Sequence, residues 1–190
     1  PDPSIHLLCP MHSLNGSISS ALALCDLLQP VSDIQVWSLP VQKQIDDRVC
    51  KRFSDRGITV NTGNLFDELP ADANLFFQMG EYPIIFGQDA DDWRAVLGRA
   101  GSVQFSINFN IGTLPNYPWL ARRLSAIYFQ NTEAAGLWQR KTVATQLKEV
   151  PVVILPPPVD LDPFLALAEN SDKTSGEKTV IGLLSGSVRL

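Results

Sequence analysis

Apolar residues in this chain fall into short blocks separated by stretches of helical periodicity. The first block, Ile5–Cys9, ends at Pro10 and predicts a buried strand. After a polar loop at 10–16, Ile18, Ala21, Leu22, Cys25 and Leu28 recur at helical spacing until Pro30 stops them. Residues 33–39 predict a second strand, closed by Pro40. Between Val41 and Arg56 the apolar positions Ile45, Val49 and Phe53 fall four apart among charges. That spacing predicts an amphipathic helix, with Gly57 as its C-terminal stop. A third strand follows at 58–61.

The alternation continues. Residues 74–79 (NLFFQM) predict a strand ended by Gly80, and 89–99 a helix capped by Asp89. Residues 102–109 read as the fifth strand. Asn116 and Pro118 have the chemistry of a cap and first turn, opening a short helix with Trp119, Leu120 and Leu124. Residues 126–130 form the sixth strand, and Thr132 is expected to cap a helix running to about Thr142. Residues 152–155 (VVIL) form the seventh. A Pro-rich turn, an amphipathic piece at 164–168, a polar stretch at 169–178 and one more apolar run at 179–184 complete the chain.

Strands that alternate with helices, and that read as continuous apolar runs, predict a parallel sheet covered on both faces. The expected class is a doubly wound, Rossmann-like α/β domain of about seven strands. Ligands in such sheets bind beyond the carboxyl ends of strands, near a change in strand order. The loops after each strand therefore carry the candidate residues.

Composition narrows the classes. The 190 residues are 45% hydrophobic and 18% charged, below the ~25% of average domains, which excludes intrinsic disorder. No apolar run approaches the ~18 residues of a membrane-spanning helix. A net charge of −5 argues against nonspecific binding to nucleic acid. Cys9, Cys25 and Cys50 form no CxxC pair, so neither a zinc site nor a disulfide framework is expected, and a reducing compartment is the default. Cys9 and Cys25 read as buried small hydrophobes and His6 as a packed strand residue.

His12 lies in the first strand–helix loop and is the better placed of the two histidines. The same loop holds Asn15, Gly16 and Ser17, whose amides at a helix start suit an anionic or hydroxyl-rich ligand. It lacks both GxGxxG and a following Lys, so neither a dinucleotide site nor a P-loop is indicated. Asn108, Asn110 and Thr113 follow the fifth strand around Gly112 and offer further polar contacts. The acids Asp89, Asp91 and Asp92 complement a helix dipole rather than forming a metal site. No GxSxG elbow is present.

The stretch 126–164 carries a family resemblance. It reads AIYFQNTEAAGLWQRK and then VPVVILPPPVDLDPF. Val153-Ile154-Leu155-Pro156, Val159-Asp160 and Phe164 resemble the "vxvIPNGVDxxxF" entry to the interdomain linker of GT-B glycosyltransferases, in the group of retaining enzymes that use nucleotide sugars. Pro157 and Pro158 stand where that group usually has Asn and Gly. Thr179–Ser185 resembles the opening strand of the family's C-terminal domain, with Leu183 at the usual Arg position.

The resemblance implies an N-terminal, acceptor-side domain at 1–168, a linker at 169–178, and the start of a donor-binding domain at 179–190. The donor site would then lie beyond Leu190, and this fragment alone would transfer no sugar. It implies a nucleotide-sugar donor and a sugar, lipid or protein acceptor, with no metal or cofactor. It also places the protein in the cytoplasm, with room for peripheral attachment to a membrane. By position, His12, Asn15, Gly16, Ser17, Asn108, Asn110 and Glu133 become the acceptor-side residues. Arg189 becomes a contact for the donor phosphates. Asn108 stands where many relatives have His, and no catalytic residue is assigned. The rival readings are a non-catalytic α/β ligand-binding module and another cleft enzyme, such as a nucleotide-sugar epimerase.

Overall fold

The structure, a computed structural model, describes residues 4–40, 44–78, 90–107 and 118–156. These belong to a compact unit spanning Pro1–Pro158. Seven parallel strands form one sheet: β1 (Ile5–Cys9), β2 (Ile34–Ser38), β3 (Thr59–Asn61), β4 (Asn74–Gln78), β5 (Ser102–Ile107), β6 (Ala126–Phe129) and β7 (Val152–Ile154). Their spatial order is β3-β2-β1-β4-β5-β6-β7. Every pairing is parallel. The chain starts in the middle, builds outward to β3, then crosses back beyond β1 to build the other half. This is a Rossmann-like α/β domain, as the alternating pattern predicts.

The connecting helices are α1 (Gly16–Leu28), α2 (Asp47–Ser54), α3 (Leu65–Glu68), α4 (Ala90–Arg99), α5 (Pro118–Ala121) and α6 (Thr132–Thr142), with a 3-10 turn at Gln146–Glu149. Parallel strands need crossovers, and crossovers keep one hand. Reversing the direction of travel at β1 therefore moves the helices to the other face. The core obeys this rule. Ile18 and Cys25 of α1 and Val49 and Phe53 of α2 pack with Leu7, Cys9 and Val36. Trp93 of α4, Leu120 of α5 and Trp138 of α6 pack instead with Phe77, Phe105, Ile127 and Phe129.

That division corrects the expectation of strands apolar on both sides. In β5, Ser102, Gln104 and Ser106 alternate with buried Val103, Phe105 and Ile107. In register with them lie Asn74, Phe76 and Gln78 of β4. The Ser102 hydroxyl donates to Asn74 Oδ1 (2.9 Å), and the Tyr128 hydroxyl donates to Gln104 Oε1 (2.8 Å). No helix between β4 and β7 reaches this face, so polar side chains there satisfy one another. β7 pairs with β6 alone and leaves Val153 and Ile154 exposed.

Element boundaries shift where caps decide them. The second helix begins at Asp47, because Asp46 turns its carboxylate to the Arg48 N–H (2.9 Å) and gives its own N–H to Met11 O (2.8 Å). The Arg48 side chain also bonds to Asp46 and holds its carboxyl below the ordinary carboxylate range. Asn131 rather than Thr132 caps α6, its side chain accepting from Ala134 N–H (2.8 Å). Neither α3 nor the 3-10 turn is visible in the periodicity, since each has only four residues. Gly57 takes a left-handed φ of 72°, as its role as a stop requires. The proposed caps Asp89 and Asn116, the ends of the fourth and fifth strands, and everything read at 157–190 lie outside the described residues.

His6 is fully buried in β1, and its Nδ1 accepts the indole N–H of Trp37 at 3.0 Å. An accepting Nδ1 fixes the ring as the neutral tautomer. His6 is therefore a structural residue, as its strand position predicts.

Two glycines make opposite predictions. A Cβ at Gly101 would sit 2.6 Å from the carbonyl oxygen of Asp72, whose own φ is 62°. Gly98, in the middle of α4, has open space around the same position. Gly101→Ala should cost on the order of 1–3 kcal/mol through backbone displacement. Gly98→Ala should stabilise by about 0.5–1 kcal/mol through helix propensity. Urea unfolding midpoints at unchanged slope measure both.

Candidate functional site

The strand order changes between β1 and β4, so the carboxyl ends of these two strands define the expected ligand edge. The β1–α1 loop begins there. Its root is fixed: the Leu39 N–H donates to Cys9 O (3.0 Å), the Asp46 N–H donates to Met11 O, and Met11 is fully buried. Its tip is open, with Leu14, Asn15 and Gly16 exposed and His12 and Ser17 half-buried. A rigid root with an accessible tip is what a binding loop needs.

Asn15 organises the tip. Its Oδ1 accepts from Ile18 N–H (3.1 Å), its Nδ2 donates to Ser13 Oγ (3.2 Å), and its carbonyl accepts from Ser19 N–H (3.0 Å). The Gly16 and Ser17 amides precede the first intrahelical bonds and point out of the helix start. α1 has no acid in its first turn to occupy that positive end. A Cβ on Gly16 would touch nothing within 4 Å, so internal packing does not require glycine here. What glycine adds is access for an outside group to the backbone.

The other sequence candidates do not converge on this loop. Glu133 is exposed in the first turn of α6, beyond the end of β6. Two strands separate β6 from β1, which at strand spacing is about 14 Å. Glu133 shares the sheet edge with His12 and Asn15 but not their site. Asn108, Asn110 and Arg189 lie outside the described residues, as does Thr113. Asp91 is a solvated surface acid paired with Arg94 at 3.3 Å, which fits the dipole reading.

A second feature adjoins the loop and was not singled out from sequence. A cleft of about 240 Å³ opens at the carboxyl ends of β2 and β3. Leu39 and Leu65 form its buried apolar surface, Ile45 and Phe66 are half-buried, and Ser38, Thr62 and Asn64 are polar. All nine of its lining residues are uncharged. The sequence signal was faint: Asn64 caps a helix of one turn, accepting from Phe66 N–H at 3.2 Å, inside a stretch without periodicity. Only the fold brings that stretch beside the end of β2.

The cysteines belong to the core beneath the first loop. All three are free thiols. Cys9 is buried at the end of β1, and burial pushes its thiol far above the ordinary range. Burial also raises Cys25, to about 12, with a further increase from the charge of Asp26 and an opposing effect from Arg56. Half-buried Cys50 is raised as well, first by desolvation. Protonated thiols are poor nucleophiles. Among the described residues no group of three His, Cys, Asp or Glu side chains could hold a metal ion, and no helix is long and apolar enough to cross a membrane.

The fold and site together define a Rossmann-like α/β domain with a candidate ligand-binding edge at its switch in strand order. The sequence matches no protein-family profile and no curated protein.

Two outcomes test this geometry. Asn15→Ala should cost about 1 kcal/mol of stability, whereas Asn15→Asp keeps the cap and complements the helix dipole; thermal unfolding distinguishes the two. In the native protein at pH 8 a disulfide reagent should label Cys50 first. Cys9 and Cys25 should react only at the rate of unfolding, measured by release of the chromophore with and without denaturant.

Proposed function

We propose that this chain is the acceptor-side domain of a GT-B glycosyltransferase that moves a sugar from a nucleotide-sugar donor. The observation that carries the reading is the organisation of the segment bearing the family resemblance. β6, the Asn131-capped α6 and β7 follow one another at the edge of a parallel sheet, and β7 runs directly into Leu155-Pro156. That is the order in which a family N-terminal domain delivers its chain to the hinge.

In this reading the acceptor binds at the carboxyl edge. The Gly16 and Ser17 amides and the side chains of Asn15 and His12 hold its hydroxyl groups or an anionic group. Asn108 and Asn110 extend the same edge, and Glu133 contacts a larger acceptor farther along it. The donor lies against the second domain, with Arg189 toward its phosphates. Helix dipoles and cations then stabilise the departing diphosphate, so the chemistry requires no metal. Front-face attack assisted by the leaving phosphate also removes the need for a nucleophile from this domain. The protein would act in the cytoplasm.

A non-catalytic ligand-binding module is the second reading, favoured by one observation: the cleft beside β2 and β3 is lined entirely by uncharged residues. A nucleoside-diphosphate release assay separates the two. The 190-residue chain should release no diphosphate from a panel of uridine, guanosine and adenosine diphosphate sugars. The same chain continued into its downstream coding sequence should release it with an acceptor present. Turnover by the 190 residues alone overturns the split-domain reading, and no turnover by the continued chain on the whole panel favours the binding module.

A further inference from the structure

We infer that the cleft at the carboxyl ends of β2 and β3 is a binding site for a single uncharged, hydroxylated ring, that is, a neutral sugar unit. The inference is independent of the transferase reading, because a binding module would use the same cleft.

Size restricts the ligand first. About 240 Å³ falls below the ~300–1,000 Å³ of sites that take drug-sized molecules, so a dinucleotide is excluded and one ring is admitted. Charge restricts it next. No lining residue is cationic, and nearby carboxylates are already committed to backbone and amide groups. Glu68 Oε1 accepts from Asn64 N–H at 3.1 Å, and Asp67 accepts from the Asn64 side chain. The Glu68 carboxylate also occupies the space where Gly63 would carry a Cβ. An anionic group entering beside these acids would be repelled, with no cation to offset it. A phosphorylated sugar or a nucleotide therefore suits the β1–α1 loop, where helix amides are open, and not this cleft.

The lining then supplies what a sugar ring needs, which is one apolar surface and a hydrogen-bonding rim. Leu39, Leu65 and Phe66 provide the surface. Phe66 is held by an edge-to-face contact with Trp93 (centroids 5.0 Å apart, 80° between planes), so its ring is positioned before any ligand arrives. Ser38 Oγ donates to Leu39 O at 3.3 Å and keeps its lone pairs available. The Thr62 hydroxyl makes no hydrogen bond to the described residues and can both donate and accept. The cleft is also tied to the first loop through Leu39, whose N–H bonds to Cys9 O. A preformed apolar wall with few convergent hydroxyls is how small neutral ligands are oriented.

Saturation-transfer NMR on the 190-residue chain tests this with glucose, galactose, mannose and N-acetylglucosamine, using glucose 6-phosphate as the charged counterpart. At least one neutral sugar should bind, and Thr62→Phe, which fills the cleft from an exposed position, should weaken it by about tenfold or more. Ser38→Ala, which removes one hydroxyl without adding bulk, should weaken the same sugar severalfold and decides the matter if Thr62→Phe does not fold. Three results would overturn the inference. They are no binding of any neutral sugar by the wild type, binding unchanged in folded variants of both positions, and glucose 6-phosphate bound through Thr62 as tightly as glucose. Failure of diphosphate release leaves all three readouts intact, so the transferase reading and this site fall separately.

Discussion

The reversal of strand order beside β1 is the constraint on which the rest of this structure depends. β1 pairs on one side with β2, from Ile5 opposite Ile34 to Cys9 opposite Ser38, and on the other with β4, from Ile5 opposite Asn74 to Leu8 opposite Phe77. Because crossovers keep one hand, strands added in opposite directions put their helices on opposite faces. Each half of the sheet is thus covered by its own helices on one side. The polar row of Ser102, Gln104 and Ser106 and the bond between Tyr128 and Gln104 follow from that geometry. So does the ligand edge, since diverging helices leave a crevice at the carboxyl ends of β1 and β4.

Much of this was legible in the residues, and the parts that were not share a physical cause. All seven strands are visible as apolar blocks, because buried parallel strands need β-branched, aromatic and aliphatic runs such as Ile5–Cys9 and Asn74–Gln78. Gly57 and Pro118 marked a helix end and a helix start through their own backbone preferences. Caps were legible in type but not in position: Asn131 outcompetes Thr132, and Asp46 starts α2 later than the apolar spacing implies. Strand order was not legible, since no local signal says that β4 returns to the far side of β1. The alternation in SVQFSI was present in the sequence, but its meaning depends on that order.

The candidate site divides in the same way. Asn15, Gly16 and Ser17 could be found because a loop between the first strand and a helix has a known destination in such sheets. Glu133 belongs to an equally suitable loop, yet three strand spacings carry it out of reach. The cleft beside β2 and β3 could not be found, because it forms between Ser38–Pro40 and Thr62–Phe66, which sequence periodicity treats as unrelated loops. The two features are chemically distinct. One offers open helix amides without neighbouring acids, and the other offers apolar surface and hydroxyls without charge. Such a pair fits a ligand with one charged and one neutral part.

The central claim is that ligands meet this domain at the carboxyl edge of the sheet beside the switch in strand order. Amide chemical-shift mapping of the isotope-labelled chain during titration with a nucleoside diphosphate and with the neutral sugars tests it most directly. The account predicts shifts at Gly16 and Ser17 for the anion and at Leu39, Thr62 and Asn64 for the sugar. Shifts confined to the opposite edge, at Asp33, Ala73, Gly101 and Ser125, would contradict it, as would a spectrum that neither ligand moves.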